Sequence, residues 1–577
     1  MVFHPPPWVP KLAFDPPDSI PISEFMFNES YGRCPLGYSK PTFTCGISGL
    51  AYSALEVRER IEFLARALAK ELNLRPNEGT EWDKVIGIFA LNTIDTLTLM
   101  WATHRLSGIA SPANAAYSAP ELAFQLKSSG SKALFTCLPL LQTALEAAKE
   151  AGIPKSRVFL LELPKEVTGK AASSPEYKTV NQLIREGAEL PRLEQLKWEK
   201  GQGARQCAFL CYSSGTSGLP KGVMISHRNV IGNTLQACAY DSPTLKENET
   251  KTSLGLLPQS HIYALVVVCH ADTYRGYGVV SLPKFDLPLM LKAIERFQIN
   301  GLYLVPPIII AMVNNQKLLQ KFDLGSVQTL FTGAAPLGAE TASEILKQHP
   351  SWKIRQGYGL TETATLVSST SLEDIWLGSC GSLIAAVEAR LVSTEGNDID
   401  GYDQPGELLV RSPSVVLGYL DNDKANKETF QDGWMRTGDE AIFKKSPKGH
   451  EHIFIVDRIK ELIKVKGLQV APAELEAHVL THPAVADVAV IPVQDDAAGE
   501  LPKAFVVKSS SVGLEENDIM VKRDIQKHVE SHKARHKWLK GGVEFIDAIP
   551  KSPSGKILRR LLRDKDREDK RKAGPKL

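Results

Sequence analysis

The sequence has no apolar run long enough to cross a bilayer, and that sets a first boundary. Its longer apolar stretches, such as 301–313, are short and interrupted by Pro306 and Pro307. A transmembrane helix needs roughly 20 consecutive apolar residues. The N-terminus, MVFHPPPWVPKLAFDPP, is proline-rich and has no apolar core of signal-peptide length. A soluble protein with no membrane span is expected. Cysteine is sparse as well: eight in 577 residues, none in a C-x-x-C pair. Reduced thiols in an intracellular compartment are therefore expected. Cys207 and Cys211 are read as sharing one face of a strand, where they pack in the core. Excess charge is missing too. Lys and Arg number 68 against 66 Asp and Glu, a net of +2, so no broad field invites nucleic acid or anionic membrane. No internal repeat of solenoid period is present.

What is there describes a globular protein of more than one domain. Hydrophobic residues make up 43% and charged residues 23% of the chain, and 577 residues exceed one ordinary core. Residues 1–45 read as an extended arm draped on a domain surface. From 55 to 72, Ile61, Leu64, Leu68 and Leu72 fall on one helical face. Strand-like runs then alternate with helix-length sequence, at 85–90, 133–137, 158–161, 254–257, 278–282, 302–305, 329–332 and 353–356. That rhythm predicts mainly parallel sheets covered on both faces. Residues 390–420 look β-rich and Gly-punctuated, as in a small barrel-like subdomain. A charge-dense stretch at 457–476 marks a boundary, and a compact α+β unit follows. The expected domains are 1–458 and 459–577. The last stretch, 559–577, has nine Lys or Arg against four Asp or Glu and reads as a frayed helix and tail.

The chemistry concentrates at 212–223, YSSGTSGLPKGV. It leaves the strand-like run CAFLC as a loop whose glycines let the backbone approach a ligand. Hydroxyls, backbone N–H groups and Lys221 together can line an anion site. The phosphate loop with glycine before its lysine and Ser or Thr after it is a different motif; here Lys221 stands between Pro220 and Gly222. Read alone, the stretch is an ordinary surface Ser/Gly loop. Further strings fall after other strands, where α/β proteins bind ligands: LPQSHIY at 257–263, TGAAPL at 332–337 and QGYGLTET at 356–363. In the last, a glycine-flanked aromatic can face a base, and a lone acid can hold Mg²⁺ against phosphate oxygens. TGD at 437–439, DRIKELIKVKGLQVAPAELE at 457–476 and KSPSGKILRR at 551–560 complete the set.

These strings, in this order from about residue 40 to 562, resemble the adenylate-forming superfamily, and most closely its 4-coumarate-CoA ligase and luciferase branch. The resemblance implies ATP, Mg²⁺ and coenzyme A acting with a small carboxylic acid, aryl or medium-chain alkyl. It assigns Ser213, Ser214, Gly215, Thr216, Ser217 and Lys221 to the phosphates. Glu362 would hold Mg²⁺ and Thr361 the α-phosphate, while Ala335, Gln356, Gly357 and Tyr358 would line the nucleotide pocket. Asp439 and Arg458 match the ribose contacts, with Lys460 at the hinge and Gln469 also on the nucleotide. Lys556 would bridge the substrate carboxylate and the α-phosphate; Lys464 matches a catalytic-loop lysine of the second step. Lys284, Lys466 and Gly467 match coenzyme A contacts. His261, Tyr263, Val267, Gly333 and Gly359 would form the acyl pocket. Phenolic-acid ligases tend to carry a small hydroxyl residue where this chain has Val267, so a more apolar acid than 4-coumarate is expected.

The implied activity is an ATP-dependent acyl- or aryl-CoA ligase, forming acyl-AMP and pyrophosphate and then the thioester. An enzyme that loads a carrier protein and a luciferase-like enzyme are the alternatives. A catalytically dead adenylate-binding regulator is disfavoured by the joint presence of Glu362, Lys464 and Lys556. Pro575, Lys576 and Leu577 resemble the peroxisomal Ser-Lys-Leu signal. A peroxisomal address with its import receptor is expected on that ground, with cytoplasm as the alternative.

Overall fold

The computed structural model describes residues 1–169, 176–213, 220–246, 249–393, 395–466, 468–495, 497–509, 517–552 and 555–573. Two large sheets carry the strand–helix rhythm. A seven-stranded sheet is ordered Gly418–Tyr419, Lys221–Ser226, Cys207–Ser213, Ile109–Pro112, Val85–Phe89, Ala133–Thr136, Val158–Leu160. Its last five strands pair in parallel, and the first two add antiparallel. A nine-stranded sheet has a parallel centre of Lys353–Leu360, Thr329–Thr332, Gly301–Leu304, Thr252–Gly255, Gly278–Ser281 and Phe43–Cys45. Parallel strands buried on both faces read as continuous apolar runs, and Val85–Phe89 is buried at every position.

Several helices begin on clear capping chemistry. In the helix Ala54–Leu72, Ser53 caps Glu56 and the Glu56 carboxylate returns to the Ser53 backbone, satisfying two otherwise orphaned N–H groups. No described helix is long and apolar enough to cross a membrane.

Three features depart from the sequence reading. The N-terminal arm is embedded, with Ile22, Phe25 and Met26 fully buried. Its strand Val2–Phe3 joins Glu388–Val392, and the Phe3 ring stacks on Phe443 at 3.7 Å. The β-rich subdomain is wider than 390–420: six antiparallel strands, including Gly406–Arg411, Trp434–Lys445 and Glu451–Arg458, form it. Cys207 and Cys211 do not share a face. A register shift between Cys207 and Phe209 puts Cys207 in one apolar cluster with Leu210, and Cys211 in another with Phe209. A bulge inserts one residue and breaks the two-residue period.

From Ile463 onward the chain builds its own sheet of Leu468–Val470, Ile463–Val465, Gly499–Lys508, Val485–Asp495 and Val543–Phe545. Its core is a distinct cluster that includes Leu475, Val490, Val506 and Ile525. The helix Arg559–Ala573 is tied to this sheet by Asp566 on Lys503, at 2.7 Å.

Candidate active site

The glycine-rich motifs meet at the carboxyl ends of the two large sheets. Ser213 closes its strand opposite Lys221, which opens the next. Residues Ser214, Gly215, Thr216 and Ser217 lie outside the described residues, as do Gly467 and 575–577. The Ser213 hydroxyl donates to Glu362 Oε1 at 3.2 Å, and Tyr419 donates to the same oxygen at 3.0 Å. Lys221 Nζ stands 4.7 Å above the Tyr419 ring. Thr361 and Glu362 lie in a short 3₁₀ turn that ends the long strand Lys353–Leu360, and both are half-buried. Gly359 has to be glycine there: a Cβ would sit 1.5 Å from the Thr365 carbonyl oxygen. At Gly357 a Cβ would meet the Phe331 ring at 2.6 Å.

On the other side of the motif, Tyr358 donates to Asp439 Oδ2 at 2.6 Å. Asp439 pairs directly with Arg458 across the antiparallel ladder, and Arg458 Nε lies 3.5 Å from Asp439 Oδ1. Burial pushes the Asp439 carboxyl above the usual range, while Arg458, Tyr358 and Lys556 pull the other way. Gln356 is buried, its backbone N–H donating to Thr370 Oγ1 at 2.8 Å. Gly333 faces the Gly357 carbonyl and the Tyr263 ring, and Ala335 is half-buried beyond it.

Lys556 reaches this site from the far end of the chain. Its loop is closed by the bridge of Lys551 with Ile557 and by Ser552 Oγ accepting from the Lys556 N–H at 3.1 Å. Gly555, at φ +81°, presses on Val305 and Pro307; a Cβ there would lie 3.1 and 3.2 Å from them. Burial, reinforced by the charge of Arg458, pushes the Lys556 ammonium down to about 8. His261 is pushed down to about 4 by burial and then by Lys556, so it is a neutral imidazole at physiological pH. Its Nδ1 accepts from the Tyr263 N–H at 3.3 Å.

The other lysines are held elsewhere. Lys460, Lys464, Lys466 and Gln469 are exposed. Lys464 pairs with Gln469 in a hairpin of the C-terminal sheet, and Lys466 has φ +50°. Lys284 is exposed after the strand Gly278–Ser281. The structure thus brings Lys556, Asp439, Arg458 and His261 together and leaves the Lys464 hairpin and Gln469 outside.

Tyr263 opens a nine-residue π-helix, Tyr263–Ala271, and donates to the Phe331 carbonyl at 3.0 Å. Near it lies a cavity of about 40 Å³ whose lining includes Val267, Tyr303, Phe331 and Leu366 together with Asp241, Arg275 and Arg355. Asp241 accepts from Arg355 at 2.6 Å and from Arg275 at 2.7 Å. Burial alone would raise Asp241, but the two guanidinium groups outweigh it and hold the carboxyl below the usual range.

Comparison with known proteins decides the family. The model of the AMP-binding enzyme family matches residues 40–420, and that of the AMP-binding enzyme C-terminal domain matches 474–556. The chain belongs to the AMP-binding, adenylate-forming enzymes. It is 43% identical to the acyl-CoA ligase easD of Emericella nidulans, over 98% of this chain and 100% of that protein. It is 41% identical to the acyl-CoA ligase cm3C of Cordyceps militaris, over 98% of this chain and 90% of that protein. The fold matches the anthranilate CoA ligase AuaEII in complex with anthranoyl-AMP, with a TM-score of 0.80 and 23% identity, covering 95% of this chain and 98% of that one. With these relatives the expectation of an AMP-forming acid–CoA ligase holds.

Within this adenylate-forming enzyme, some residues at the site lie outside the motifs of the sequence reading. Tyr419 is one; 57 residues separate it from Glu362, and only its place on the sheet edge beside Val223 makes the contact. Arg355 is another, one of two charges, with Lys353, in the strand-like run 353–356. Asp241, Arg275 and Tyr303 left no comparable local mark. Arg559, inside the 551–560 string but given no role there, holds Glu476 through three hydrogen bonds at 2.7, 2.9 and 3.3 Å and also pairs with Glu461.

Proposed function

We propose that this ligase works in two half-reactions with different lysines in the site. In the first, the carboxylate of an aryl or medium-chain alkyl acid attacks the α-phosphorus of ATP; the bond to pyrophosphate breaks and acyl-AMP forms. Two anions are brought together in that step, so charge neutralisation is what the protein must supply. Lys556 is placed for it, and its position beside Asp439, Arg458 and His261 carries this reading. Asp439 and Arg458 would hold the ribose, Tyr358 the base, and Ser213, Lys221 and Thr361 the phosphates. Glu362, with the Ser213 and Tyr419 hydroxyls around it, suits Mg²⁺, which takes one or two carboxylates and completes its shell with phosphate oxygens and water. The ion would neutralise phosphate charge.

In the second half-reaction the C-terminal unit turns about Lys460, withdraws Lys556 and presents Lys464 with the Lys466–Gly467 turn. The thiolate of coenzyme A then attacks the acyl carbon and AMP leaves. Exposure of the Lys464 hairpin while Lys556 is half-buried in the site is what such an exchange starts from. Lys556→Ala is expected to lower acid-dependent ATP–pyrophosphate exchange by at least about 100-fold while sparing thioester formation from supplied acyl-AMP. Lys464→Ala is expected to do the reverse. Equal loss of both half-reactions in each variant defeats the two-lysine reading.

A further inference from the structure

Four histidines gather in the C-terminal unit, away from any motif used above. His478 sits in the last turn of the helix Pro472–Val479 and His482 just beyond it. His528 and His532 lie four residues apart on the helix Asp518–His532, a spacing that stacks two side chains on one helical face. The two helices pack together, and the rings of His478 and His528 stack at 4.4 Å with 6° between their planes. His532 lies 5.2 Å from the first ring and 5.3 Å from the second. One ring nitrogen from each of His478, His528 and His532 lies within 4.8 Å of the others, in the one such group of three among the described residues.

The hydrogen bonds constrain the tautomers. His478 Nε2 and His532 Nδ1 both face the His528 carbonyl oxygen, at 3.2 and 3.0 Å. A carbonyl only accepts, so His478 Nε2 carries the proton and its Nδ1 keeps the lone pair; His532 Nδ1 also meets the Ser531 hydroxyl at 2.9 Å, which can either donate or accept. His528 Nε2 lies 2.8 Å from Thr481 Oγ1, whose own proton goes to the His478 carbonyl at 2.7 Å. Nε2–H of His528 is therefore the donor and Nδ1 has the lone pair. Histidine binds a metal through one ring nitrogen while an oxygen acceptor holds the other, and His478 and His528 are held in that way. His482 differs: its Nδ1 accepts from the Ala484 N–H and its Nε2 meets Asp524, at 3.2 Å each.

We propose that His478, His528 and His532 bind a divalent transition metal of the Zn²⁺ class, with the fourth position left to water. Imidazole suits Zn²⁺, Cu²⁺ and Ni²⁺ and not Mg²⁺ or Ca²⁺. Bonds of 2.0–2.1 Å in a tetrahedral site place ligand nitrogens about 3.3 Å apart, so the rings must close by about 1.5 Å from their largest separation of 4.8 Å. His532 is exposed and can move by side-chain rotation, and the parallel His478 and His528 rings must turn out of their stack for both in-plane lone pairs to meet one ion.

The test uses the full chain without a polyhistidine tag, stripped with EDTA. Calorimetric titration with Zn²⁺ is expected to give one ion per chain, and Co²⁺ a visible spectrum of nitrogen-ligated, four-coordinate metal. His532→Gln and His528→Gln are each expected to weaken Zn²⁺ binding at least tenfold and to remove the Co²⁺ bands. His4→Gln, remote and exposed, is expected to change neither. If His528→Gln fails to fold, His532→Gln at the solvent-facing helix end decides the matter alone. Zn²⁺ binding by His532→Gln equal to that of the unsubstituted chain, or no stoichiometric binding by the latter, overturns the proposal.

Discussion

Lys556 is a cation that its surroundings disfavour. Burial and Arg458 bring it from the ordinary lysine value of 10.5 to about 8, and an acid ionises in the free enzyme where its own pKa lies. The charged form, which the proposed function needs to neutralise carboxylate and phosphate, persists below about 8 and is lost above it. We expect kcat/KM of the pyrophosphate-forming half-reaction to fall by about tenfold per pH unit above that point. A profile flat to pH 10 defeats the assignment. His261 adds no limb of its own near neutrality, because its pKa of about 4 leaves it uncharged there. At this scale the sequence was most readable. Lys556, Glu362 and Thr361 stand in contiguous strings, and the proposed function asks a phosphate loop to carry its residue types side by side. Tyr419 was unreadable, because its contact with Glu362 depends on which strand ends beside which.

Among elements, the loop bearing Lys556 depends on the turn that follows it. Arg559 is buried between Glu476 and Glu461, with 9%, 10% and 7% of the three side chains exposed. Removing one partner of a buried pair leaves the other charges without compensation and costs about 3–5 kcal/mol. Arg559→Met is therefore expected to lower stability by that amount, read as a shift in urea midpoint, and to reduce pyrophosphate exchange more than thioester formation from acyl-AMP. An unshifted midpoint sinks the idea that this cluster anchors the loop. Helices and parallel strands were legible here because their apolar periods repeat locally. The Cys207 bulge was not: one inserted residue reverses the facing of Cys207 without altering composition. The embedded arm was missed for a related reason. Ile22, Phe25 and Met26 show no sustained period, and their burial is supplied by distant elements of the same core cluster.

For the whole molecule, the proposed function puts the acid where the nine-stranded sheet and the π-helix meet. Val267 faces a cavity whose charged residues, Asp241, Arg275 and Arg355, are taken up with one another. A substrate hydroxyl buried there without a partner costs about 1–3 kcal/mol, or roughly five- to 150-fold. We expect kcat/KM for cinnamate or a medium-chain acid to exceed that for 4-coumarate by a factor in this range. Equal or better use of 4-coumarate counts against the pocket as described.

The sequence by itself determined the α/β rhythm, the nucleotide strings and the chemistry of acid activation, because each is written in neighbouring residues. Only the tertiary structure decided that Asp439 stands opposite Arg458, that Lys556 is in the site while Lys464 is outside, and that His478 stacks on His528. Those contacts join residues from 19 to more than 100 positions apart. Strand register, helix packing and the docking of one unit on another set them, and none of the three leaves a period in the sequence.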